Sequence, residues 1–79
     1  MEKSISQLEA MAICDLSDMD RKHDAHIAAL AESISREGLR EPVTLAEYSG
    51  KTYMVEGHHR LLAVKRLGWT EMPAHRKEQ

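Results

Sequence analysis

The sequence predicts one small α+β domain, and three observations carry that prediction: an apolar stripe at helical spacing, a strand-turn-strand pattern after it, and a second helical stripe after that. In the first stripe Ile27, Leu30, Ala31 and Ile34 fall at i, i+3, i+4 and i+7, which lines one face of a helix. Asp24 is a natural N-cap and Gly38 a natural left-handed stop, so a helix over about 25–36 is expected.

Beyond Gly38, Val43 and Leu45 alternate with Thr44, and Pro42 stands where a strand can begin. Ser49-Gly50 supplies a turn and Thr52–Val55 a second strand, so Tyr48 and Lys51 face each other across a tight hairpin. After Gly57, His59–Leu67 reads as a helix whose deepest stripe is Leu61, Val64 and Leu67. Gly68 closes it, Lys65 and Arg66 suit the negative end of its dipole, and Trp69 is placed to fold back on the last turn. Met72–His75 reads as a short edge strand, and the last four residues are expected to fray.

The first 23 residues support two readings. Ser6-Gln7-Leu8-Glu9 has capping-box spacing for a helix through Ile13, while Lys3–Ser6 serves equally as an entering strand. Met11, Ile13 and Leu16 are expected in the core. Asp15, Asp18 and Asp20 read as a solvated acidic loop, because they lack the glycine turn and closing glutamate of a calcium loop. The expected organisation is a single domain over 1–79, with its core in 24–75 and an entering strand and acidic loop in 1–23.

A chain of 79 residues has room for one domain and excludes a two-domain enzyme. With 42% apolar residues, no Phe, and Trp69, Tyr48 and Tyr53 as its aromatics, its core must be aliphatic. The 30% of charged residues places it among soluble globular proteins. No apolar run approaches the roughly 20 residues that span a bilayer, and Met1–Ser6 lacks the basic and apolar regions of an export signal. Cys14 stands alone, which excludes an internal disulfide and fits a reducing compartment. The expected location is cytoplasmic, with no membrane partner.

The net charge of −2 hides an asymmetry: residues 1–57 carry 6 Lys/Arg against 11 Asp/Glu, and residues 58–79 carry 5 against 2. That basic end can hold an anion although the whole chain is acidic. Its most informative stretch is Glu56-Gly57-His58-His59-Arg60, between the second strand and the second helix. There three potentially cationic side chains meet a helix N-terminus whose first amide hydrogens have no partner. Gly57 permits a close backbone approach, and Arg60 offers a fork to a phosphate or carboxylate. Binding that uses His58 and His59 as donors strengthens as pH falls. The competing explanation is structural: Gly57 turns the chain and Arg60 pairs with Glu56 or Glu32.

Other chemistry has less support. His23-x-x-His26 spaces two imidazoles one helical turn apart, but zinc needs further ligands, so these are expected to be exposed surface histidines and no metal site is assigned. Neither a Gly-x-Gly-x-x-Gly fingerprint nor a Walker loop is present. Glu56 and His59 form a conceivable acid/base pair beside a bound phosphate.

The run from Ile27 to Pro73 resembles the N-terminal domain of the ParB/sulfiredoxin superfamily. The resemblance rests on Leu30–Ile34 with Gly38-Leu39, then Pro42-Val43, then Tyr53-Met54-Val55-Glu56-Gly57-His58-His59-Arg60-Leu61-Leu62-Ala63, then Leu67-Gly68-Trp69 and Met72-Pro73. Ile5-Ser6-Gln7-Leu8 resembles the entering strand and turn of such domains, favouring a strand at Lys3–Ser6. The resemblance implies a compact α+β fold with a small mixed sheet and two main helices, binding a phosphate-bearing ligand at the glycine-to-arginine turn. In that superfamily ParB proteins bind and hydrolyse CTP, sulfiredoxins bind ATP, and other members include a serine kinase and proteins labelled nucleases. Gly57, His58, His59 and Arg60 match the phosphate box, and Arg21 is a looser match to an arginine before the first helix. Glu56 as a base would parallel superfamily enzymes. Sulfiredoxin has a nucleophilic cysteine where this chain has His58, and Cys14 lies far away, so that chemistry is not expected. Full ParB proteins continue into a helix-turn-helix DNA reader, whereas this chain stops at Gln79.

The expectation is therefore a stand-alone, regulatory ParB-like module, of the kind found in phages and mobile elements, that binds a nucleoside triphosphate such as CTP or ATP with Mg. One alternative is a DNA-binding module contacting backbone phosphates through Arg60, Lys65, Arg66, Arg76 and Lys77. The other is an adaptor for a protein partner or a homodimer. Nucleotide hydrolysis or nuclease activity is implied only by the resemblance, since no acidic cluster beyond Glu56 accompanies the box.

Overall fold

The structure is a computed structural model, and it describes residues 1–77. The chain runs β1 (Glu2–Ser4), α1 (Ile5–Met11), α2 (Leu16–Lys22), α3 (Asp24–Glu37), β2 (Val43–Tyr48), β3 (Lys51–Glu56), α4 (His58–Arg66) and β4 (Glu71–Arg76). Four strands form one sheet in the order β1-β4-β2-β3. β4 is antiparallel to β1 and parallel to β2, and β2 is antiparallel to β3, so the sheet is mixed as expected. None of the helices among the described residues is long and apolar enough to cross a membrane.

A strand and a helix both form in the N-terminal segment, with shifted bounds: the strand ends at Ser4 rather than Ser6, and Ile5 and Ser6 already belong to α1, which ends at Met11 rather than Ile13. β1 enters the sheet, and α1 begins on Ser4, whose hydroxyl accepts from the Gln7 amide at 3.1 Å while the Gln7 side chain accepts from the Ser4 amide at 3.4 Å. The capping box is thus Ser4–Gln7 rather than Ser6–Glu9. Ser4→Ala is expected to lose about 1 kcal/mol, seen in thermal unfolding as a fall in Tm of roughly 4–8 °C.

The expected acidic loop is instead helix α2, because Asp15 accepts from the Asp18 amide at 3.1 Å and caps it. α1 and α2, of seven residues each, are short helices beside the two main ones expected, α3 and α4. α3 starts one residue earlier than expected: His23 holds the N-cap position without a side-chain cap, and Asp24 lies in the first turn. The hairpin turns through Ser49 and Gly50, both at positive φ (52° and 79°), the geometry of a type I′ turn.

β4 is an interior strand, not an edge. Pro73 is tolerated there for a geometric reason. The Ala74 amide donates to Met1 O, so the Pro73 nitrogen faces the other side, where pairing with β2 starts only at Val43–Ala74. The Lys77 amide donates to Leu45 O, so order continues through that residue; the rest of the tail expected to fray, 78 and 79, lies outside the described residues.

The core is aliphatic, with Leu8, Ile27, Val43, Leu45, Met54, Leu61, Val64 and Met72 fully buried. Met11 and Leu16 pack on its margin, whereas Ile13, expected inside, is exposed beyond the end of α1. α4 buries Leu61, Leu62, Ala63 and Val64, while Leu67 is partly exposed because it is already the C-cap. The Trp69 amide donates to Val64 O and the Gly68 amide to Lys65 O, the Schellman closure that Gly68 permits at φ 84°.

Candidate functional site

Gly57 stands between β3 and α4 in the left-handed conformation, φ 100° and ψ 18°. It also lies against β2: a Cβ there would meet Val43 Cγ1 at 2.7 Å and the Val43 backbone at 3.1 Å. Only glycine satisfies both conditions. The contact fixes where α4 begins, and α4 begins without help, since no side chain caps it and its first turn holds no acidic residue. Its first intrahelical bond is the Leu61 amide to Gly57 O, which leaves the His58, His59 and Arg60 amides available to an external acceptor.

This turn forms one wall of a cavity of about 530 Å³. The facing walls come from Met19 of α2, from His26, Leu30, Ser33 and Glu37 of α3, and from the loop Gly38–Glu41 that carries the chain into β2. Apolar side chains (Met19, Leu30, Leu39) and charged ones (Arg40, Glu41, Arg60) thus share one cleft, as ligand sites commonly do.

Arg60 is its best-positioned cation. Its side chain is mostly buried, and its Nη1 donates at 3.2 Å to both Glu41 Oε2 and Pro42 O. Neither Glu56 nor Glu32 is its partner. Glu41 is exposed, so its carboxylate can swing away and release the guanidinium.

The two histidines differ from what their sequence position suggests. His58 is 7% exposed and its Nε2 has no hydrogen-bond partner; burial holds its pKa below the usual 6.5. It is a neutral residue packed beneath the turn rather than a cation at its mouth. The unfolded chain therefore binds a proton there more readily than the folded one, so stability is complete above about pH 6.5 and declines as pH falls through the lowered folded value. Unfolding midpoints between about pH 7 and 5 should show this decline, and His58→Asn should flatten it.

His59 lies partly buried on the cavity wall, its pKa lowered by burial first and then by the fields of His26, His23 and His58. His23 Nδ1 and His59 Nε2 are 2.7 Å apart and share a hydrogen bond, with their rings stacked at 4.9 Å. The His26 ring stands edge-on to His59 at 4.8 Å. His23 and His26, expected as isolated surface histidines, are thus joined to the site by a residue more than thirty positions away. Among the described residues no group of three or more His, Cys, Asp or Glu has the geometry to hold a metal ion.

The other candidates lie elsewhere. Arg21 is exposed on α2 and pairs with Asp18 at 2.5 Å, and it does not line the cavity. Glu56, the last residue of β3, is exposed and also off the cavity wall. Lys65 pairs with Glu9 at 2.6 Å, and Arg66 bridges Asp20 at 2.9 Å and Asp24 at 2.8 Å. Arg76 ends β4 and Lys77 follows it, on the β4 side of the fold. The basic end is therefore largely engaged with the acidic first half of the chain. Sequence spacing did not indicate the contributions of Met19, Leu39, Arg40 and Glu41, because none belongs to the glycine-to-arginine motif.

A model of the ParB N-terminal domain matches residues 2–79. A nucleoid occlusion protein from Halalkalibacterium halodurans is 36% identical over 55 residues, which are 70% of this chain and 19% of that protein. The chain thus spans only a small part of that relative's length. Among solved structures, sulfiredoxin from Arabidopsis thaliana superposes with a TM-score of 0.72 at 22% identity, covering 100% of this chain and 84% of that one, a likeness of fold.

Proposed function

Because this chain belongs to the ParB N-terminal domain family, we propose that it is a regulatory module that binds the phosphates of a nucleoside triphosphate, CTP or ATP, at the Gly57–Arg60 turn. The observation that carries this reading is the uncapped first turn of α4 opening on the cavity with Arg60 beside it. Three free amides, the positive end of the helix dipole and one guanidinium make a phosphate-sized acceptor site. The apolar walls at Met19, Leu30 and Leu39 leave room for the less polar part of the ligand.

A regulatory output is supported by the two carboxylates flanking the turn in sequence and space: Glu56 lies off the cavity wall and Glu41 is engaged by Arg60. The DNA alternative has less support: of its five cations, Arg60, Lys65 and Arg66 are ion-paired within the chain. Isothermal titration of CTP and ATP, with magnesium, into the wild-type chain and Arg60→Ala tests the proposal. Saturable binding that is lost in the variant supports it, and binding that the variant leaves unchanged refutes it.

A further inference from the structure

Resting on that phosphate-binding reading, we propose that His23, His26 and His59 form a proton-coupled subsite for the terminal phosphate of a polyphosphate ligand whose inner phosphates sit on the Gly57–Arg60 turn. The three rings come from different places: His23 from the junction of α2 and α3, His26 from the first turns of α3, and His59 from the first turn of α4. His26 and His59 line the cavity, next to Arg60, so a chain of phosphates that starts at the turn reaches those two rings, and His23 joins them off the cavity wall through its hydrogen bond to His59.

The hydrogen bond between His23 Nδ1 and His59 Nε2 defines how the cluster takes up protons. When both rings are neutral, one nitrogen of the pair donates and the other accepts. A first added proton goes to an outward nitrogen and keeps that bond. A second leaves no acceptor between the rings, and the two cations repel. The hydrogen-bonded pair thus resists a second proton, consistent with the direction in which burial and the neighbouring histidines move His59. A phosphate dianion reverses the balance, because the proton added at an outward nitrogen then becomes a charge-assisted donor to it.

The charges around the cluster do not satisfy it first. On α2 and α3, Asp20 and Asp24 are both held by Arg66, and Asp18 is held by Arg21 and Lys22. Across the cavity Glu41 is held by Arg60, and Glu37 lies 3.8 Å from Arg40. On α4 the neighbouring titratable group is His58, which is buried. A metal ion is a poorer occupant, since two nitrogens on one tetrahedral zinc stand about 3.3 Å apart, wider than the 2.7 Å found between His23 and His59.

The test is isothermal titration of inorganic tripolyphosphate and of orthophosphate into the full chain, at matched pH near 7 in buffers of different ionisation enthalpy, with wild type, His23→Asn and His26→Gln. Both positions are exposed and Asn is a favoured N-cap residue at the start of α3, so the variants retain the fold, which thermal unfolding checks. Wild type is expected to take up about one proton per tripolyphosphate, so that affinity weakens by up to about tenfold per pH unit on the alkaline side. Each variant should bind tripolyphosphate about tenfold more weakly with reduced proton uptake, while orthophosphate binding, confined to the turn, should not change. Tripolyphosphate binding without proton uptake, or with the same affinity in both variants, overturns this subsite and leaves the turn intact as a phosphate site. Loss of both ligands from the wild-type chain overturns the phosphate reading together with it. NMR titration of the imidazole protons gives a second measure: with tripolyphosphate bound, His59 should titrate at higher pH than in the free chain, and unchanged titration contradicts the proposal.

Discussion

Gly57→Ala should remove about 2–5 kcal/mol of folding stability, by adding the cost of a left-handed alanine, about 1–2 kcal/mol, to that of overpacking a filled site, about 1–3 kcal/mol. For a domain of this size that is a fall in Tm of roughly 8–40 °C. Both causes are visible at one position: φ is +100°, and the new methyl would lie 2.7 Å from Val43 Cγ1. Val43 cannot yield easily, because it is fully buried and starts the parallel pairing of β2 with β4. Urea or thermal unfolding measures the loss. Val43→Ala in the Gly57→Ala background should recover little of it, since the Val43 backbone remains at 3.1 Å and the backbone conformation remains strained. A loss below about 1 kcal/mol would mean that the turn can move off β2, and the placement of α4 would then not depend on Gly57.

Arg60→Ala has the opposite profile, a small effect on stability and a large one on binding. Its ion pair with Glu41 has an exposed partner, and such pairs contribute about 0–1 kcal/mol. A guanidinium fork to a phosphate contributes about 1.5–3 kcal/mol, so nucleotide affinity should fall roughly tenfold to a hundredfold. Glu41→Gln provides the complementary measurement. It removes the carboxylate that competes for Arg60, so it should bind nucleotide at least as tightly as wild type. If Arg60→Ala unfolds the chain while Glu41→Gln weakens binding, Arg60 is a structural residue, and its bonds to Glu41 and Pro42 are its function.

The features legible in the sequence are those set by local rules. α3 and α4 follow from apolar spacing with glycine stops, and the β2–β3 hairpin from Ser49-Gly50. The glycine-to-arginine turn was legible because strand, glycine and helix are contiguous there. What sequence did not reveal depends on long-range placement. Met72–His75 looks like an edge strand because it contains a proline, yet β1 and β2 both pair with it, and Pro73 faces β2 before their ladder starts. The acidic segment looks like a loop because Asp15, Asp18 and Asp20 dominate it, although Asp15 is a cap and Leu16 and Met19 supply an inward face for a short helix.

The site divides in the same way. His58 and His59 are adjacent and look equivalent, but the direction of α4 buries His58 and leaves His59 only partly buried, although both line the cavity. His23 and His26 have no meaning by themselves and acquire one only when α3 packs beside α4. The charge asymmetry is visible in the sequence, but the fold neutralises much of it by pairing Lys65 and Arg66 with Glu9, Asp20 and Asp24.

The most direct measurement is thermal unfolding of the full chain with CTP, ATP, GTP, UTP and a short DNA duplex, each with and without magnesium, repeated on Arg60→Ala. A nucleotide at a hundred times its Kd should stabilise the folded state by about 2.7 kcal/mol, a shift of roughly 10–20 °C. A phosphate site at Gly57–Arg60 requires that CTP or ATP produce this shift in wild type and that Arg60→Ala cut it to about 0.4–1.4 kcal/mol. Stabilisation by DNA alone, or a nucleotide shift that is undiminished in Arg60→Ala, would contradict it.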